Sequence, residues 1–127
     1  MFAIIIILVL MALTVLFVIF IYNKLVRLRN MVEEGWSGID VQLKRRANLV
    51  PNLIETVKGY MVHERELLAR VTELRTQSLK EHHVEKKGRL EGALSRSLAN
   101  VFAVAEGYPD LKANRNFLKL ETELAYI

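Results

Sequence analysis

The amino-acid sequence predicts an all-α fold, in which a single N-terminal transmembrane helix continues into an antiparallel bundle of long helices. Three observations carry this. The first 22 residues hold no charged side chain. Beyond them, apolar residues recur at steps of three and four. No stretch alternates apolar with polar residues as a half-buried strand does.

The stretch from Phe2 to Ile21 reads FAIIIILVLMALTVLFVIFI. Twenty residues at about 1.5 Å each span about 30 Å, the thickness of a hydrocarbon core. Sixteen of them are Ile, Leu, Val or Phe. At mid-bilayer values these give at most about 5–10 kcal/mol of insertion free energy. Thr14 is the lone polar residue, and a helix can return its hydroxyl to a backbone carbonyl. The β-branched run Ile4–Ile7 weakens a helix in water, but in lipid the backbone must satisfy itself and helix prevails. No basic region precedes the run, and no small-x-small cleavage site follows it, so it reads as a retained anchor over residues 1–22. Lys24, Arg27 and Arg29 follow directly. By the positive-inside rule they place residues 23–127 in the cytoplasm and the short N-terminus outside, with Tyr22 at the interface.

The first soluble helix is expected to be nearly continuous with the span. Leu25, Leu28, Val32, Trp36, Ile39 and Leu43 form one face, spaced like a coiled-coil seam. Pro51 is expected to end this helix near Asn48 and to open a second, because proline disfavours the α region in the residue before it. The second helix is expected to run into the early eighties. Ile54, Val57, Met61, Leu68 and Val71 form its apolar face, and Gly59 lies inside it. Gln77–Lys87 is a polar gap. A third helix is expected from Lys86 to Glu106, followed by a turn at Gly107-Tyr108-Pro109-Asp110 and a last helix carrying Phe117, Leu120, Leu124 and Ile127.

Composition excludes several chemistries. With no cysteine, the chain has no disulfide, thiol nucleophile or thiolate metal site. His63-Glu64 begins a zinc-helix pattern, but Leu67 stands where its second histidine belongs. His82 and His83 are adjacent and diverge by about 100° on a helix, which disfavours joint chelation. Glu33 and Asp40 read as ion-pair partners of Arg29 and Lys44 at helical spacing rather than as an acid/base pair. The Lys44-Arg45-Arg46 triplet reads as the cationic end of the first helix. Trp36 reads as a core anchor, with a partner contact as the other reading. No catalytic, cofactor or metal residue is expected.

Tyr22-Asn23-Lys24-Leu25-Val26, Arg29-Asn30, Trp36, the run IDVQLKRRANLVPNLIETVKGY (Ile39–Tyr60), His63-Glu64, and FAVAEGYPDLKANRNFLKLETEL (Phe102–Leu124) together resemble the LemA family. Gly35 and Asn48 depart mildly from residues common there. The resemblance implies a membrane-anchored, mainly cytoplasmic bundle of long antiparallel helices, bacterial in its usual occurrence, with no catalytic residues to carry over. It also implies a further long helix beyond the position of Ile127, so the bundle is expected to lack its last helix.

These readings converge on a non-enzymatic scaffold or protein-interaction module at a bacterial inner membrane. Its partners would be the bilayer, other proteins or further copies of itself; the alternative is a binder of anionic lipid or nucleic acid through the basic segments, nucleic acid being the less favoured. Trp36, Asp40, Gln42, Arg45, Arg46, Pro51, Asn52, Tyr108 and Pro109 are the residues expected to serve interaction or helix packing. For the polar ones among them, helix-to-helix hydrogen bonding and a docking face both stay open.

Overall fold

In the computed structural model, which describes residues 1–125 and 127, five helices and no strand are found among the described residues. They are α1 (Phe2–Val57), α2 (Arg65–Lys80), α3 (Val84–Ala105), the single turn α4 (Pro109–Lys112) and α5 (Arg115–Ala125). The fold is all-α. By its packing the chain divides into two units, Met1–Val41 and Gln42–Ile127.

The first unit is the N-terminal part of α1. Its apolar stretch is long and apolar enough to cross a membrane, with a mean hydropathy of 3.5 and none of it buried within the chain. The Thr14 hydroxyl donates to the Leu10 carbonyl at 2.8 Å, the expected return of its one polar group to the backbone. No break separates the apolar stretch from the segment after it, so the expected continuity holds.

The second unit holds the core. Val50, Leu53 and Val57 of α1, Leu68, Val71 and Leu74 of α2, and Leu94, Leu98 and Val101 of α3 pack together. Phe117, Leu120 and Leu124 of α5 join the same core. α2 and α3 form an antiparallel hairpin closed by Glu81–His83, inside the polar gap of the sequence. Phe117 is 1% exposed and meets the Phe102 ring at 6.0 Å and 54°, a tilted aromatic pair. Asn114 caps α5 by accepting the Phe117 backbone N–H on Oδ1 at 3.2 Å.

Three expectations are corrected. Pro51 does not end the first helix: α1 carries it internally and runs on to Val57. Proline lacks an N–H, so the Ala47 carbonyl four residues earlier loses its helical donor. Arg75 of α2 fills the gap, its Nε donating to the Ala47 carbonyl at 2.5 Å. With that carbonyl partnered, burial of Val50, Leu53 and Val57 outweighs the proline. The second helix accordingly starts at Arg65, not Pro51, and Gly59 lies in the connection Lys58–Glu64 rather than inside a helix. Met61 in that connection is fully buried, which holds the loop to the core. Finally, Lys44-Arg45-Arg46 is not a helix end, because α1 continues about three turns beyond it.

The phase of α1 is informative. Its apolar series Leu25, Leu28, Val32, then Trp36, Ile39, Leu43, then Ala47, Val50, Ile54 repeats every eleven residues. Ala47 and Val50 are buried, and Leu43 and Ile54 are half-buried. Residues Leu25 to Ile39, earlier in the same series, are exposed.

Candidate functional site

The expected site residues fall into three places. The first is a polar cluster inside the second unit. Arg46 is 7% exposed, and its guanidinium meets the Glu91 carboxylate of α3 in an ion pair with side chains 8% and 15% exposed. The guanidinium also donates to the Ser95 hydroxyl at 2.6 Å and to the Glu91 carbonyl at 3.1 Å. The other Glu91 oxygen accepts from the Ser78 hydroxyl of α2 at 2.5 Å, and Lys87 reaches the Ser78 carbonyl at 3.4 Å. One carboxylate thus ties α1, α2 and α3 together. Arg46 Nε alone is buried without a partner among the described residues.

Composition hides this cluster; phase reveals it. Arg46 stands in step with Val50, Leu53 and Val57, Ser78 with Val71 and Leu74, and Glu91 with Leu94 and Leu98. Each occupies a core position of its own helix. Opposite charges in core phase on two helices signal a buried pair, and sequence reasoning singled out Arg46 without Glu91, Ser78, Ser95 or Arg75. Reading the triplet as the cationic end of the first helix obscured the inward turn of its third member.

The second place is where the two long motifs meet. The Asn114 side-chain amide donates to the Tyr60 hydroxyl at 3.3 Å, and the Tyr108 hydroxyl reaches the Glu64 carboxylate at 3.5 Å. Pro109 is exposed and opens α4 at its first position, where a missing N–H costs nothing. Asn52 is exposed and lines a shallow polar groove with Thr56, Asn116, Lys119 and Glu123. A second, more apolar groove lies over Met61 and Leu68, with Lys58 and Arg65 among its lining. Pro51 is half-buried, while Gln42 and Arg45 are exposed.

The third place is the uncovered stripe of the first unit. Trp36 was read as a core anchor, and this is corrected: it is 50% exposed, as are its neighbours Val32 and Ile39 at 59% and 50%. The reason is physical rather than local. The residues that cover the stripe further along α1 come from α2 and α3, and within the first unit the stripe has only its own helix. Asp40 is exposed beside it. Arg29 and Glu33 form the expected surface pair at 3.2 Å.

One titratable group is shifted. The Glu81 carboxyl is held below its ordinary value of 4.5, first by the His83 backbone N–H it accepts and then by the His83 ring. Both contacts close the α2–α3 turn, at 3.0 and 2.9 Å.

The family model described as "LemA family" matches residues 35–127. A protein described as "Protein LemA" from Metamycoplasma hominis is 30% identical over 111 residues, covering 81% of this chain and 48% of that protein. The chain therefore spans about half the length of the curated relative it matches.

Proposed function

The chain belongs to the LemA family, and from that premise we propose that it is a membrane-anchored, non-enzymatic interaction module whose docking element is the exposed stripe of α1. The single observation that supports this most is the juxtaposition, within one unit, of an apolar span with an uncovered amphipathic segment. Leu25, Leu28, Val32, Trp36 and Ile39 present apolar side chains that are 47–61% exposed. Contiguous apolar faces of this kind mark interaction sites, and tryptophan is the residue most enriched at binding hot spots.

Lys24, Arg27 and Arg29 favour a cytoplasmic position for everything after the span. The buried polar groups of the second unit are spent on one another, which supports a packing role for them rather than chemistry on a substrate. The turn of Arg46 into the core leaves two of the three triplet cations outside, which weakens the anionic-lipid or nucleic-acid reading.

The test is made in native membranes. The protein is expected to resist alkaline extraction, and a photo-crosslinker at position 36 is expected to yield defined adducts that the same group at position 41 does not. Full release at alkaline pH, or equal labelling from both positions, defeats the proposal.

A further inference from the structure

We propose that the segment Leu25–Ile39 of α1 pairs in parallel and in register with the same segment of a second copy, each Trp36 seated over the Gly35 of the other helix. This deepens the reading above and rests on it, since it names the partner of the stripe.

Three observations select a second copy over other occupants. The first is the eleven-residue period. An 11-residue repeat, at about 3.67 residues per turn, drifts slowly around the helix, so two helices that share it stay matched along their length in a right-handed supercoil. Such a stripe is matched along its length by a helix of the same period and direction, and the same segment is one. The second is shape. In parallel packing each knob enters a hole made by four residues of the facing helix. For Trp36 in this register, the hole is lined by Val32, Gly35, Trp36 and Ile39 of the second copy. Gly35 leaves one wall of that hole open. A Cβ built at Gly35 meets nothing within 4 Å in this chain, so nothing inside the chain calls for glycine there. Glycine is also the poorest helix former after proline, which makes its place in an exposed helix costly unless a second backbone or a large side chain uses the space. The third is the tether. Copies inserted in one bilayer with one orientation present their stripes in the same direction and at the same depth, which favours the parallel register and excludes the antiparallel one.

The chain has no cysteine, so single cysteines can be introduced without background. Val32→Cys and Ile39→Cys lie on the stripe, and Asn30→Cys and Ser37→Cys lie across the helix from it. In the full chain, in native membranes, oxidation is expected to give disulfide-linked dimers from the stripe positions at about ten times the yield from the others, since the bond demands close, well-directed Cβ atoms. A third variant guards against misfolding. Gly35→Leu fills the hole but raises helix propensity, so helicity by circular dichroism should hold or rise. It is expected to lower dimer yield at position 32 by about tenfold, as overpacking of a knob site does.

Equal yields on both sides of the helix, or no dimer from any position, overturn the proposal. An unchanged yield with Gly35→Leu overturns the seating of Trp36. If photo-adducts at position 36 go to a different protein and the cysteine pairs fail, this inference falls while the interaction module stands. If the chain leaves the membrane at alkaline pH, the module itself falls.

Discussion

Removal of the Glu91 carboxylate should damage the second unit far more than removal of both members of its ion pair. The Arg46 guanidinium has three acceptors: the Glu91 carboxylate, the Glu91 carbonyl and the Ser95 hydroxyl. Glu91→Ala deletes the only charge among them and also strips the Ser78 hydroxyl of its acceptor. With the Arg46 and Glu91 side chains 8% and 15% exposed, water cannot replace what is lost. Breaking a buried pair from one side costs about 3–5 kcal/mol, because an uncompensated charge stays inside. Replacing both partners with apolar groups of similar volume, as in Arg46→Met with Glu91→Leu, is often neutral or stabilising, within about 1–4 kcal/mol of gain. For a domain of this size about 1 kcal/mol moves the midpoint by about 4–8 °C. Glu91→Ala is therefore expected to lower the thermal midpoint by at least about 12 °C, and the double variant to sit near the parent. The assay is circular dichroism at 222 nm on the full chain in detergent, with a double-mutant cycle closed by the parent, Arg46→Met, Glu91→Leu and the double variant. A Glu91→Ala midpoint within about 3 °C of the parent, which is under about 1 kcal/mol, refutes the reasoning. So does a double variant that melts as low as the single one.

Further outcomes follow from other parts of the molecule. Arg75→Met leaves the Ala47 carbonyl without a donor and should cost about 1–3 kcal/mol in chemical denaturation; adding Pro51→Ala restores a backbone N–H and should recover part of it. Phe117→Ala should cost about 3–5 kcal/mol, since the ring is 1% exposed and packs on Phe102. The depressed Glu81 carboxyl contributes stability that is fully present above its ordinary value of 4.5 and is lost as pH falls through the lower folded value; Glu81→Gln should flatten that acid limb, read by comparing the thermal midpoints of parent and variant across acidic pH. Trp36 is the only tryptophan, so covering of the stripe should blue-shift its emission when the protein is concentrated in liposomes, and diluting it in lipid should reverse the shift.

Helix number and the core were legible to different degrees. Val57, Leu68, Val71, Leu94, Leu98, Val101, Phe117, Leu120 and Leu124 are visible from spacing alone, because burial of an amphipathic face dominates helix packing. The end of α1 was not legible. A rule about proline's local backbone predicted a stop at Pro51, and a contact between residues 28 positions apart, Arg75 and Ala47, reversed it. Trp36 was misplaced for the opposite reason. Periodicity shows that a stripe needs a cover, but does not say whether the cover is in the same chain. The polar cluster lay between these cases: Arg46 was noticed for its charge, when its step with Val50, Leu53 and Val57 was the stronger clue.

The patch that Arg75 places on the Ala47 carbonyl has a consequence for the order in which the protein takes shape on the ribosome. Residues up to about position 46 can wind as soon as the following turn emerges, since each carbonyl there has a donor four residues downstream. The Ala47 carbonyl lacks that local completeness because Pro51 offers it no N–H, and its missing bond arrives only when the chain has been synthesised past Arg75 and α2 has folded back. The helix around Pro51 is thus finished by a side chain made later than it is.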